Sequence, residues 1–236
     1  MCYTYNNMTG NKGGIRLSSL NSHRSCVASV PIFNHLEEWQ MDKIMESAHP
    51  IHLEKGEILY RPYEQSETLY IVHKGRLRIY RDSESGREQT IRILGPGEFT
   101  GEYALFNAST HDSYAVATKK SSICSIAQKD LQTFLLDYPT ISLKILEKFS
   151  QRLGETETQA TSVAIETVDK RIAQYLINNV NKNKEVILPM TRKELASYLG
   201  TSPETISRKL TEFEEKGYII QKSSKKIEIL HVDQLA

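Results

Sequence analysis

Residues 191–210 restrict the possible folds of this chain most strongly, because they predict two short helices joined by one tight turn. Thr191 and Glu194 have the spacing of a capping box, which begins the first helix. Gly200 can adopt the left-handed conformation that ends this helix and makes a tight turn. Ser202 followed by Pro203 is a typical start for the second helix, since proline has no N–H to leave unsatisfied there.

The residues around this turn extend the pattern to a complete small domain. Ile206 and Leu210 are predicted to fill the wedge between the two helices, and Ala196 is small enough for a close crossing. Residues 218–221 and 227–230 predict a β hairpin around a turn at residues 222–226. A helix-turn-helix followed by a hairpin is a winged helix, whose second helix enters the DNA major groove. The sequence therefore predicts double-stranded DNA as a partner.

The outward face of the second helix carries the residues expected to read bases: Glu204, Thr205, Ser207 and Arg208. Arginine can bind guanine in bidentate fashion, and glutamate can accept a hydrogen bond from cytosine. An alternative is that Glu204 and Arg208, one turn apart, form a surface ion pair. Phosphate contacts, which position the domain without reading sequence, are expected from a second set: Thr191, Arg192, Ser202, Lys209 and Lys225.

Residues 51–126 contain short apolar runs separated by glycines, which predict an antiparallel sandwich, jelly roll or barrel. Residues 68–72 and 77–80 are interpreted as two strands with a turn at Lys74-Gly75. Residues 114–117 and 122–126 are interpreted as another two. A helix is predicted over residues 36–47, with Leu36, Trp39, Ile44 and Met45 on one face.

A long helix is predicted from about residue 140 to 167. An apolar seam with alternating spacings of three and four runs along it: Leu146, Phe149, Leu153, Thr156, Ala160 and Val163. The flanks of this seam are polar, so we expect the helix to form a homodimer. The alternative is an ordinary amphipathic helix packed on its own domain.

These patterns predict an α+β protein with four parts. Residues 1–30 are a polar arm, 31–137 a β-roll effector domain, 138–167 the dimerisation helix and 168–236 the winged helix. No apolar run is long enough to cross a bilayer, and the first residues lack a signal-peptide core, so we expect a cytoplasmic protein without a membrane partner. No nucleophile–base constellation, metal cluster or phosphate loop is found, which argues against an enzyme and predicts no metal site.

The order of these parts resembles the family of the cyclic-AMP receptor protein and the fumarate–nitrate-reduction regulator. The resemblance rests most on residues 97–106 (GEFTGEYALF) and 191–210. It implies a β-roll of the cyclic-nucleotide-binding type and a homodimer on a palindromic site. It also implies RNA polymerase as a partner. Glu204, Ser207 and Arg208 match the pattern of the second regulator, which implies a half-site resembling TTGAT.

The resemblance also identifies a candidate effector pocket and argues against its usual ligand. Gly101-Glu102 matches one pair of residues that holds the phosphate in cyclic-nucleotide members, but Asp112-Ser113 stands where those members have Arg-Ser. A carboxylate at that position repels an anion, so cyclic AMP is not expected. An alternative cytosolic role is a small-molecule sensor whose winged helix mediates protein contacts.

The three cysteines, Cys2, Cys26 and Cys124, are too few for the four thiolates of an iron–sulfur cluster. Cys124 falls at the position of the roll cysteine in the second regulator, and Cys26 is what remains of its N-terminal group. The resemblance to cluster-less, oxidation-responsive relatives therefore leads to a hypothesis that Cys26 and Cys124 form a redox switch. No metal or organic cofactor is expected.

Overall fold

The computed structural model describes residues 27–28, 30–84, 86, 88–102 and 109–235. They form a β-roll, one long helix and a C-terminal winged helix, which confirms the α+β class. The arm assigned to residues 1–30 lies almost wholly outside the described residues. Its last part packs on the roll instead of extending from it, since Val27 and Val30 are fully buried.

The roll begins with a helix and ends with another. Its elements in chain order are α1 (Glu38–Glu46), β1 (Ala48–Leu53), β2 (Ile58–Tyr60), β3 (Gln65–Ser66), β4 (Thr68–Asp82), β5 (Glu88–Leu94), β6 (Phe99–Thr100), β7 (Ser109–Thr110), β8 (Tyr114–Ala127) and α2 (Gln128–Asp137). The main sheet has the order β1-β8-β4-β5, with β2 added to β8 and β6 to β4. All these pairs are antiparallel, and β5 is an edge strand.

Two long strands replace the four short ones that the sequence predicts. The turn predicted at Lys74-Gly75 is wrong, because β4 continues through these residues with shifts of register against β8. Gly75 has a φ of +102°, and a Cβ there would lie 2.5 Å from the Cα of Ser121. The glycine therefore permits a bulge and a close approach of two strands, features that resemble a turn in sequence.

Helix α1 occupies most of the stretch predicted at residues 36–47. Ile44 and Met45 are buried as expected, but Trp39 is 57% exposed. Its indole ring meets the edge of Tyr138 and lies beside the Lys43 ammonium group. The predicted apolar face was wrong for Trp39 because an aromatic ring can cover a neighbouring side chain while most of its surface stays in water.

Helix α3 (Pro139–Ile165) has 27 residues and connects the two halves of the chain. Its first turns pack on the roll, where Ile141 and Ile145 are buried with α2. Leu146 and Leu153 of the predicted seam are about 60% exposed. The helix ends at Glu166, which has an extended backbone, and the Thr167 side chain caps the next helix.

The winged helix consists of α4 (Val168–Asn178), β9 (Glu185–Ile187), α5 (Arg192–Tyr198), α6 (Pro203–Glu215), β10 (Ile219–Gln221), β11 (Lys226–Ile229) and α7 (Val232–Leu235). Its sheet has the order β10-β11-β9. The sequence predicts the hairpin but not β9, because three residues are too few for an alternating pattern. Ile172, Leu195, Ile206, Leu210 and Ile227 are fully buried and form the centre of the domain core.

Among the described residues, no helix has both the length and the apolar character that crossing a membrane requires.

Replacing Gly75 with alanine should destabilise the protein more than replacing Gly56. Both glycines have positive φ, but only Gly75 has backbone atoms in the space that a Cβ would fill. We expect Gly56→Ala to lower the free energy of unfolding by about 1–2 kcal/mol from backbone strain. Gly75→Ala should add about 1–3 kcal/mol for the forced separation of β4 and β8. Urea denaturation of both variants measures the difference, and equal losses would contradict the role of the close approach.

Candidate nucleic-acid interface

The turn between α5 and α6 has the geometry that the sequence predicts. Thr191 Oγ1 accepts a hydrogen bond from the Glu194 N–H at 3.2 Å, and Glu194 Oε2 accepts one from the Thr191 N–H at 2.7 Å. Ser202 Oγ caps α6 by accepting from the Thr205 N–H at 3.2 Å. Gly200 has a φ of +67°, as a left-handed turn requires. These bonds set the direction in which α6 leaves the domain.

One stripe of α6 faces solvent and contains Glu204, Arg208, Thr211 and Glu215, whereas Ser207 and Thr205 are half-buried. The Glu204 carboxylate bonds to its own backbone N–H and to the Ser202 hydroxyl, and these two bonds lower its pKa. Within the described part of the chain, no ion pair joins Glu204 to Arg208, so the alternative of a surface pair is not the arrangement found. Arg208 extends from the helix with its guanidinium group unpaired among the described residues.

The predicted base-reading residues therefore differ in their surroundings. Glu204 and Arg208 are exposed one turn apart, on a single face. Thr205 lies at the N-terminal end of α6, where its hydroxyl oxygen is 3.1 Å from Ser202 Oγ. The geometry thus gives Glu204 and Arg208 the best access to a groove, with Ser207 beside them.

Two residues of the predicted phosphate-contacting set are directed into the domain. Lys209 Nζ lies 2.8 Å from both Asp169 and Glu212, and its side chain is only 20% exposed. Arg192 donates to the Gln221 side chain at 2.6 Å and so ties α5 to the wing. A phosphate contact by Lys209 is not supported, since two carboxylates already neutralise it. Asp169 lies on α4 and Gln221 on β10, so the sequence offers no signal for these two contacts, whereas Glu212 lies three residues after Lys209 on α6.

Among the described residues of the wing, one lysine has no carboxylate partner. Lys222 and Lys226 pair with Glu228 and Glu185 across the small sheet. Lys225, at the tip, has an exposed side chain. Residues 190–236 contain nearly equal numbers of acidic and basic side chains, and several of these form ion pairs within the domain. The remaining positive charge is concentrated at Arg208, Lys193 and Lys225.

The roll contains a second polar region around Glu102. Gly101 has a φ of +83°, and a Cβ there would lie 2.2 Å from the Thr68 carbonyl oxygen, so only glycine fits. Glu102 Oε1 accepts hydrogen bonds from Arg92 at 2.9 Å and from Arg152 at 3.0 Å. Arg152 lies on α3, so this ion pair joins the roll directly to the long helix. Sequence reasoning found Glu102 but not the two arginines.

Arg152 is held in this position by two further contacts. Its guanidinium group donates to the Phe99 carbonyl oxygen at 2.7 Å and lies over the Phe99 ring at 4.2 Å. Burial lowers the pKa of Arg152, and the neighbouring Glu102 carboxylate opposes this shift.

Tyr60 and His111 lie beside the residues of the candidate effector pocket. Their rings stack at 3.7 Å, and the Tyr60 hydroxyl oxygen is 2.6 Å from Thr100 Oγ1. Burial raises the pKa of Tyr60 to about 12 and lowers that of His111, so both rings favour their neutral forms. The Ser113 hydroxyl also bonds to Tyr60.

Asp112 does not join this group. Its carboxylate pairs with Arg81, and both side chains are about half exposed. The structure therefore brings Gly101, Glu102 and Ser113 to one region and turns the Asp112 side chain to the surface, because Arg81 on β4 attracts it there.

Cys124 is 4% exposed in the core between the roll and α2. It is a disulfide-bonded cysteine in this structure. Cys2 and Cys26 both lie outside the described residues. Among the residues that are described, no group of three or more histidine, cysteine or carboxylate side chains is placed to hold a metal ion.

A β-roll joined through one long helix to a winged helix defines a DNA-binding regulator, and comparisons with known proteins agree. Residues 50–138 match the cyclic nucleotide-binding domain model, and residues 170–236 match the Crp-like helix-turn-helix domain model. The chain belongs to the Crp/Fnr family of transcription regulators, whose members are not enzymes.

Individual relatives span nearly the whole chain. The probable transcriptional regulator flp of Lacticaseibacillus casei is 32% identical over 89% of this chain and 96% of its own. The transcriptional activator protein Anr of Pseudomonas protegens is 28% identical over 87% of this chain and 86% of its own. The structure of FixK2 from Bradyrhizobium japonicum covers 80% of this chain and 95% of its own, with a TM-score of 0.71 and 24% identity, and so supports the fold.

Proposed function

We propose that this regulator binds a palindromic, TTGAT-like site as a homodimer and controls transcription through contact with RNA polymerase. The observation that carries the proposal is the exposed pair of Glu204 and Arg208 on α6, one turn apart. Arg208 can donate two hydrogen bonds to guanine, and Glu204 can accept one from cytosine. The alternative role, a winged helix used for protein contacts, gives no reason for base-dependent binding.

Replacing Arg208 should remove discrimination at one base pair. We expect Arg208→Ala to raise the Kd for the TTGAT-type palindrome by about 10–100-fold, from the loss of a bidentate contact in each half-site. On a site whose guanine is replaced, the same variant should bind as the unmodified protein does. Fluorescence anisotropy with the two duplexes measures both values.

Lys225→Ala is the matched control, because Lys225 is an exposed cation with no base-reading role. It should weaken binding to both duplexes equally and lower the slope of log K against log salt by about 1 for each lysine removed. If Arg208→Ala also acts equally on both duplexes, base reading by Arg208 is wrong. If the affinity for neither duplex depends on salt concentration, the protein-contact alternative is favoured. Transcription reconstituted with purified RNA polymerase tests the last part of the proposal.

The homodimer is supported by the apolar seam of α3. Leu146 and Leu153 are 59% and 60% exposed in the single chain, and Thr156 and Ala160 are also exposed. Large apolar side chains at heptad spacing on a helix that projects from its domain are typical of a coiled-coil partner surface. Val163 is 41% exposed, and its side chain also approaches Gly200 of the turn. The apolar seam of α3 therefore extends from the roll to the winged helix.

A charge in the seam should separate the protomers. Leu153→Glu places two carboxylates opposite each other in a coiled-coil core, and we expect a monomer at micromolar concentration in sedimentation equilibrium. Leu136→Glu is the matched control: Leu136 is a leucine on α2 that is 82% exposed and lies off the seam. It should leave the oligomeric state unchanged. A dimer that survives Leu153→Glu would contradict the proposed interface.

For the effector, we propose oxidation of the Cys26–Cys124 pair and not cyclic AMP. The disulfide at Cys124 supports this, as does the burial of Val27, the residue after Cys26, in the same core cluster as Cys124. Against cyclic AMP, Glu102 is already engaged by two arginines and an aspartate stands at position 112. Three cysteines cannot supply the four thiolates of a cluster within one chain.

One titration tests both parts of the effector proposal. Oxidant should change the affinity for the palindrome in the unmodified protein and in Cys2→Ser, but not in Cys26→Ser or Cys124→Ser. Cyclic AMP should change it in none of them. Peptide mapping without reductant should find the Cys26–Cys124 cross-link. A cross-link through Cys2, or a response to cyclic AMP, would overturn the corresponding part.

A further inference from the structure

The carboxyl end of α5, immediately before the turn that leads to α6, is held by three other elements of the chain. Ser197 contacts β5 of the roll, Tyr198 contacts α3 and Leu199 contacts α4. We call these three residues, with Thr90, Gln159 and Arg171 as their partners, the domain joint. A helix leaves its last carbonyl groups without partners of its own. Here side chains from α3 and α4 donate hydrogen bonds to two carbonyl groups at this end, and β5 bonds to the Ser197 hydroxyl beside them.

The contact with β5 uses the full bonding capacity of one hydroxyl group. Ser197 Oγ accepts from the Thr90 N–H at 2.7 Å and from Thr90 Oγ1 at 3.0 Å. It donates to the Glu88 carbonyl oxygen at 2.8 Å. A serine hydroxyl has one donor and two acceptor sites, so no site is left over. Because β5 is an edge strand, the hydroxyl completes a backbone edge that no other strand of the described residues covers.

The other two contacts fix the rotation of α5 about this point. Gln159 Nε2 on α3 donates to the Tyr198 carbonyl oxygen at 3.0 Å. Arg171 Nη1 on α4 donates to the Leu199 carbonyl oxygen at 2.6 Å. Thr90 is fully buried and Arg171 is 8% exposed, so the bonds that these two residues make are shielded from water. Losing one partner would leave a buried polar group unsatisfied, which is more costly than losing an exposed bond.

The joint matters because the covalent connection beside it is only two extended residues. Glu166 and Thr167 separate α3 from α4, so without further contacts the winged helix could turn about this point. In a dimer held at α3, the position of each α6 relative to its partner then depends on the joint. Binding to a palindrome depends on that relative position, because the two half-sites must lie about one helical turn apart.

We propose that the domain joint, through Ser197 and Gln159, determines the spacing between half-sites that the dimer accepts. This inference rests on the proposed DNA-binding dimer and adds the residues that position its reading helices. Ser197 and Gln159 are positioning residues, because they act through α5 and the turn on α6. Inserting two base pairs between half-sites moves one of them by about 7 Å and turns it by about 70°. A rigid joint cannot move the two α6 helices onto half-sites that have been displaced in this way.

The test compares three duplexes by anisotropy: the palindrome, the palindrome with two inserted base pairs, and a duplex with a single half-site. We expect Ser197→Ala and Gln159→Leu each to lower the ratio of Kd values for the inserted and cognate palindromes by about tenfold. Affinity for the single half-site should stay within about twofold, because α6 itself is unchanged. Thr133→Ala on α2 is the control, since its hydroxyl bonds only within its own helix.

The outcomes are distinguishable. An unchanged spacing ratio in both variants overturns the inference. An equal loss on all three duplexes also overturns it, because the joint would then only stabilise the winged helix. Gln159→Leu keeps the test valid if Ser197→Ala fails to fold, since Gln159 lies half-exposed on α3. Failure of the unmodified protein to bind any palindrome is a failure of the proposed function and not of the joint.

Discussion

The hydrogen bonds at the carboxyl end of α5 decide how the two halves of this molecule are arranged. The roll and the winged helix have separate apolar cores, although Ile93 on β5 of the roll also packs against the winged-helix core. Beside the Ile93 contact, the joining interactions are polar: Ser197 with the edge of β5, Gln159 with the Tyr198 carbonyl oxygen, and Arg76 of β4 with the Pro189 carbonyl oxygen. Polar contacts are directional, so they specify one orientation, whereas apolar surfaces of similar size tolerate sliding. Helix α6 follows α5 directly after the Gly200 turn, so the orientation of α5 also sets that of α6.

The candidate effector pocket of the roll combines a backbone constraint at Gly101 with ion pairs at Glu102. Gly101 keeps its place because its backbone approaches the Thr68 carbonyl oxygen too closely for any side chain. Glu102 keeps its place too, but here its carboxylate is shared by Arg92 and by Arg152 from the long helix. A direct ion pair thus spans the roll and α3.

Local signals predicted some parts of the protein well and others poorly. The capping box, the Gly200 turn and the Ser202 cap all depend on neighbours within a few residues, and each was found. The turn at Lys74-Gly75 was wrong because a bulge in a continuous strand uses the same glycine chemistry as a turn. The exposure of Trp39 and the internal pairing of Lys209 were missed for another reason. In each case one partner, Tyr138 or Asp169, is distant in sequence, and no periodicity records it.

The sequence by itself determined the class of protein, the winged helix and the exposed pair Glu204 and Arg208, because helix caps, turns and helical faces are set by short-range geometry. Only the tertiary structure decided which charges remain available. It paired Lys209 with Asp169 on α4, and it placed Arg152 on Glu102. It also brought Ser197 to the open edge of β5. The physical reason is that hydrogen bonds and ion pairs between elements depend on where distant segments meet, and that meeting is decided by the packing of the cores.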